Sequence, residues 1–116
     1  MNTMAESIFK RKAVAFLKSR GAWVFKVHGD GYSRNGVQDL ICCYLGRFLA
    51  VELKVDGRDA EPLQSYEASQ VKKSRGISIV ARTILDIEKA LMKIEADYDF
   101  ANLCITEHLF CDSSHE

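Results

Sequence analysis

Residues 36–55 read G-V-Q-D-L-I-C-C-Y-L-G-R-F-L-A-V-E-L-K-V, and this stretch decides the fold. Val37–Tyr44 and Arg47–Val55 are two apolar, β-branched and aromatic runs separated only by Leu45-Gly46. That separation predicts an antiparallel hairpin. A two-residue turn there sets Leu40–Tyr44 opposite Arg47–Val51, so Asp39 falls beside Glu52 at the open end. Side chains alternate along the second strand, with Leu49, Val51, Leu53 and Val55 on one face. Phe48, Ala50, Glu52 and Lys54 take the other. Two carboxylates and an ammonium therefore converge at the end of a strand apolar enough to be internal. Burying two like charges together is costly unless a cation neutralises them. A hard divalent ion, Mg²⁺ or Mn²⁺, suits a pair of carboxylates, with water and phosphate oxygens completing its shell.

Outward from the hairpin, residues 5–20 predict a helix, with Ile8, Phe9, Ala13, Phe16 and Leu17 at three- and four-residue spacing and Gly21 as the stop. On that helix Glu6 falls about 60° from Phe9, inside the apolar stripe, which is either a first-turn acid or a ligand at the core boundary. Ala22–His28 predicts a strand and Gly29–Gly36 a loop. Asp56–Ala60 reads as a polar turn. Pro62 opens a helix to about Arg75 that Gly76 closes, and Ile77–Ala81 is a short strand. Thr83 and Asp86 form a capping box for a helix to about Ala96. Asn102–Phe110 fits a helix or a strand, and Cys111–Glu116 a frayed tail. The order α-β-β-β-α-β-α is an α/β arrangement, a mixed sheet flanked by helices. One domain is expected over 1–116, with a core of about 4–96 and 97–116 as a C-terminal extension.

The bulk properties narrow the class of function. The chain has 116 residues, 47% of them hydrophobic and 28% charged, and no apolar run long enough to span a bilayer. Its beginning does not have the pattern of a signal peptide, so a cytoplasmic protein with no membrane role is expected. Cys42, Cys43, Cys104 and Cys111 lack zinc-ligand spacing and read as small buried apolar residues. The net charge is zero but unevenly spread: residues 1–75 carry 13 Lys+Arg against 8 Asp+Glu, and residues 76–116 carry 3 against 8. A polyanion would meet the basic part, through Lys10, Arg11, Lys12, Lys26, Arg34, Lys72 and Lys73.

Gly36-Val37-Gln38-Asp39, then Glu52-Leu53-Lys54, then Gln64 in the following helix, with Glu6 in the first helix, resembles the PD-(D/E)XK nuclease superfamily. More narrowly the set resembles the VRR-NUC family in its stand-alone phage-type form, over roughly residues 4–82. The resemblance implies a restriction-endonuclease-like core and metal-dependent hydrolysis of DNA phosphodiester bonds in a bacterial or phage-infected cell. It implies metal ligation by Asp39, Glu52 and the backbone carbonyl of Leu53, and a catalytic Lys54. Glu6 would hold a metal-bound water or a second ion, and Gln64 would orient Lys54 or the nucleophile. Lys26, His28, Ser33 and Arg34 would meet the DNA backbone. The family usually has proline before the aspartate, where this chain has Gln38, so the backbone ahead of Asp39 is less constrained. One site serves one strand at a time, so a homodimer acting on branched DNA such as a four-way junction is expected, with the apolar segment Phe100–Phe110 as part of the interface. The competing expectation is a non-cleaving nucleic-acid- or junction-binding protein on the same fold.

Overall fold

The computed structural model describes residues 4–27, 39–55 and 62–108. Their elements are α1 (Met4–Ser19), β1 (Trp23–Lys26), β2 (Leu40–Tyr44), β3 (Arg47–Leu53), α2 (Pro62–Lys73), β4 (Ile77–Ala81) and α3 (Ile84–His108). The four strands form one sheet in the order β1-β2-β3-β4. The first two pairings are antiparallel; β4 returns parallel to β3, with α2 as the crossover.

The hairpin has the register expected of it: Leu40 faces Val51 and Tyr44 faces Arg47. Leu45 and Gly46 both have positive φ, 50° and 79°, the conformation that suits a two-residue turn between right-twisted strands. Leu49 and Val51 are fully buried and pack with Leu40 and Cys42 against Ala13 and Leu17 of α1 and Ile87, Leu91 and Ile94 of α3. Each buried Leu, Ile or Val here contributes about 1.5–3 kcal/mol over its exposed state. The opposite face of β3 is covered as well, with Ala50 and Glu52 buried there. A parallel neighbour and helices on both faces explain why this strand is apolar almost throughout.

Several boundaries differ from those the sequence predicts. β1 spans four residues rather than Ala22–His28, although Val27 N–H still donates to the Asp39 carbonyl at 2.9 Å. α1 ends as expected, with Gly21 at φ 89° and the Ala22 N–H returning to the Leu17 carbonyl at 3.0 Å. At the end of α2 the left-handed residue is Arg75, φ 70°, not Gly76. Glycine is needed at 76 for a different reason: a Cβ there would stand 2.9 Å from Val71 Cγ1 and 3.1 Å from Phe48 Cδ2. The capping box at Thr83 and Asp86 is present, with the Thr83 N–H donating to Asp86 Oδ2 at 3.1 Å and the Asp86 N–H to Thr83 Oγ1 at 3.3 Å.

The helix it opens does not stop near Ala96. α3 continues unbroken to His108, because no glycine or proline interrupts it and Asp97 is tied to Arg47 at 2.7 Å and to Lys93 at 3.4 Å. The ambiguity over Asn102–Phe110 is thereby resolved as helix up to His108. The long axis of the molecule measures 54 Å against 26 and 23 Å for the others. The expected loop Gly29–Gly36, the turn Asp56–Ala60 and the tail Cys111–Glu116 lie outside the described residues. So do Val37 and Gln38.

Candidate active site

Asp39 precedes β2, Glu52 sits at its expected place on β3, and Lys54 follows on the same side of that strand. The Asp39 Oδ2 accepts the backbone N–H of Leu53 at 2.9 Å, which fixes the carboxylate against β3. A strand residue directs its N–H and C=O to the same neighbour. The Leu53 carbonyl therefore faces the side on which Asp39 stands, while the next residue turns the other way and the Lys54 N–H donates to the Ala81 carbonyl at 3.0 Å.

Glu52 is 6% exposed, held from above by α2. Gln64 Nε2 donates to Glu52 Oε2 at 2.7 Å, and Lys54 Nζ stands 3.5 Å from the same oxygen. The other oxygen, Oε1, is buried with no hydrogen-bond partner among the described residues. Burial pushes the Glu52 carboxyl above its ordinary pKa and the charge of Asp39 adds to the push, opposed by Lys54 and the Gln64 hydrogen bond. Lys54 supplies one positive charge to two carboxylates, so the pair with its orphaned oxygen is one positive charge short of balance. Two hard oxygen donors and an inward carbonyl fit a divalent cation by the chemistry of the set.

Among the described residues no three His, Cys, Asp or Glu side chains gather into a metal-holding group. Glu6, half-buried in the first turn of α1, is thus not brought in as a third carboxylate beside Asp39 and Glu52. A cleft of about 310 Å³ opens from Glu52 and Gln64 along α2 and β4, and Lys72 and Ser78 line it. Ser78 carries no sequence signal: it enters because β4 pairs parallel with β3 and sets it beside Ala50. Lys26 lies exposed at the end of β1, facing Leu40 across the strands. His28, Ser33 and Arg34, expected at the DNA backbone, lie outside the described residues.

The cysteines divide. Cys42 is buried in the core, where its thiol is pushed up to about 12, first by burial and then by Cys43; both are free thiols. Cys43 is exposed, contrary to expectation, because it lies on the sheet face opposite the core, between exposed Trp23 and Phe48. The acids of the C-terminal part are engaged by arginines: Arg20 reaches Glu95 at 3.0 Å and Glu88 at 3.6 Å, and Tyr44 also donates to Glu95.

No family profile and no curated protein matches the chain by sequence. A solved structure described as a VRR_NUC domain does match in three dimensions, with a TM-score of 0.64 and 22% identity over 78% of this chain and 97% of that one. The architecture is thus that of a VRR_NUC domain, a restriction-endonuclease-like α/β fold.

Proposed function

We propose that this protein is a divalent-metal-dependent DNA nuclease that hydrolyses phosphodiester bonds. The observation that carries the reading is the orphaned, buried Oε1 of Glu52 beside Asp39, on the strand that carries Glu52-Leu53-Lys54, in a chain whose fold is like that of a VRR_NUC domain. Asp39, Glu52 and the Leu53 carbonyl would hold Mg²⁺ or Mn²⁺. Such an ion, when bound, lowers the pKa of a water and neutralises charge on the scissile phosphate.

The rest falls to the chain's own side chains. Asp39 is positioned by the Leu53 N–H and Glu52 by Gln64, so both carboxylates are set before substrate arrives. Lys54, on the Glu52 face, offers its ammonium to a non-bridging phosphate oxygen or to the attacking water, a point-charge role that suits lysine. Gln64 acts through Glu52 as a positioning residue. Glu6 is assigned to a second ion or an ordered water that forms only with substrate in place. Lys26, with His28, Ser33 and Arg34, is assigned to the DNA backbone.

A homodimer preferring branched DNA remains the reading for the assembly. Its support is the projecting end of α3, where Tyr98 and Phe100 are exposed. Action inside a bacterial or phage-infected cell follows from the resemblance. Among the described residues no helix is long and apolar enough to cross a membrane.

The test is a nicking assay on supercoiled plasmid with Mn²⁺, Mg²⁺, Ca²⁺ or EDTA. Cleavage is expected with the first two, little with Ca²⁺ and none in EDTA. Full cleavage in EDTA overturns the metal-dependent reading. Absence of cleavage with DNA binding intact favours the non-cleaving alternative.

A further inference from the structure

α2 covers only part of its face of the sheet. It packs on β4 and reaches β3 at Glu52 through Gln64, and among the described residues it makes no extensive contact with β1 or β2. On this face β1 carries Trp23 and Phe25, 61% and 51% exposed, with rings parallel to within 6° and centroids 6.2 Å apart. By the register, Phe25 faces Ile41, which faces Ala50; Trp23 faces Cys43, which faces Phe48. All of these side chains lie on the Glu52 face. From strand spacing and rise, Phe25 stands about 12 Å from Glu52 and Trp23 about 16 Å, in a line leading away from the carboxylates.

The other face of the same edge strand has the opposite character. Val24 turns into the core, and Lys26 joins Lys10, Arg11 and Lys18 of α1 around a groove of about 380 Å³. Nothing pairs with β1 on its outer side among the described residues. A chain passing over this edge meets parallel aromatic rings on one side and a bank of cations on the other.

We infer that Trp23 and Phe25 form a stacking platform for unpaired bases of single-stranded nucleic acid, with its phosphates drawn towards Lys10, Arg11, Lys18 and Lys26. Aromatic rings beside a basic groove bind single strands without reading sequence, since every base has a π-face. Bases paired in a duplex have their faces covered and cannot stack there. The cations decide between this occupant and an apolar protein surface, which gains nothing from four positive charges at its border. The inference rests on the nuclease reading only for what lies at the end of the track. Joined to that reading, it makes branched DNA with an unpaired stretch beside the scissile bond a better substrate than a fully paired branch.

Trp23 is the sole tryptophan of the chain, so its emission reports on the platform directly. A twelve-nucleotide thymidine oligomer added in EDTA should quench it, and a blunt duplex of equal charge should not. Anisotropy of the labelled oligomer should show Trp23→Ala and Phe25→Ala each weakening binding roughly five- to one-hundred-fold. Phe25→Leu, which keeps apolar bulk but no ring, should weaken it similarly, and Phe25→Tyr should restore it. Both rings are more than half exposed, so these variants should melt as the parent does. No quenching by the oligomer, or equal quenching by the duplex, overturns the platform. So does an emission shift on raising protein concentration alone with a doubled mass, which would place a second copy on the rings. Quenching without cleavage in Mn²⁺ leaves the platform standing and removes the nuclease reading; cleavage without quenching does the reverse.

Discussion

Glu52 concentrates the energetics of the site in one side chain. Its charge is buried, its Oε1 has no partner among the described residues, and Asp39 repels it. In metal-free protein that charge opposes folding. Glu52→Gln keeps the shape and the Gln64 contact while removing the charge, so it should raise the melting temperature in EDTA by about 2–5 °C. Mn²⁺ should stabilise the parent in proportion to its concentration and leave the variant unmoved. Calorimetry with and without the ion reads both effects, and a lower melting temperature for Glu52→Gln in EDTA would refute the account. Lys54 is 17% exposed at its side chain and Asp39 is braced by one backbone bond, so neither anchors the core. Lys54→Ala or Asp39→Asn should slow plasmid nicking about 10²–10³-fold with DNA binding nearly unchanged, and Lys54→Ala, which leaves Glu52 without its cation, should also melt lower in EDTA. Nicking near the parent rate by either variant would show the site to be misassigned.

At the scale of elements, the turn and caps carry measurable free energy. Leu45 occupies a left-handed conformation that costs a branched side chain about 1 kcal/mol, and it is exposed, so little packing depends on it. Leu45→Asn should therefore stabilise the protein by up to about 1 kcal/mol in urea denaturation. A destabilised Asn variant would mean the leucine is held by contacts that the turn geometry does not reveal. Asp86 caps α3, accepting the Arg82 N–H at 2.8 Å as well as that of Thr83, and these bonds hold its carboxyl below the ordinary pKa, the Arg82 bond most of all. A carboxyl lowered by folding contributes stability above its unfolded pKa, about 3.9, and loses it as pH falls through the lower folded value. Asp86→Ala should thus cost roughly 0.5–1.5 kcal/mol at pH 7, and the difference should shrink below pH 4. An equal difference at pH 7 and pH 3 would show that the charge is irrelevant to the cap.

For the whole molecule the separation of charge is structural. Acids of α3 meet Arg20 and Arg47 on the side away from Glu52, while Lys72 lines the cleft and Lys54 stands beside Glu52. A neutral chain can thus still present a basic approach to a polyanion. Projection of α3 beyond Ala96 gives a second copy a surface that includes exposed Tyr98 and Phe100. Light scattering at micromolar concentration should give twice the 13.1 kDa chain mass; a mass near 13.1 kDa excludes the dimer. In competition, a four-way junction should be cut in preference to linear duplex, and equal cutting removes the claim of branch preference.

The sequence by itself determined whatever depends on near neighbours. The hairpin register followed from two residues between two runs, and that register placed Asp39 beside Glu52. Alternation separated Glu52 and Lys54 from the Leu49/Val51 core, and local chemistry set Gly21, Pro62 and the Thr83 cap. Only the tertiary structure decided which helix covers which half of which face. α2, packed on β4 and reaching Glu52 through Gln64, buries that carboxylate, while Trp23, Phe25 and Cys43 on the same face of the sheet stay exposed. An aromatic strand reads the same whether its rings are covered or bare. The need for glycine at 76 arises from Val71 and Phe48, and the length of α3 is reinforced by Arg47, fifty residues away from Asp97. Periodicity along a chain fixes the faces of its elements; the contacts that bury or expose those faces come from residues far apart in sequence, and no local pattern encodes them.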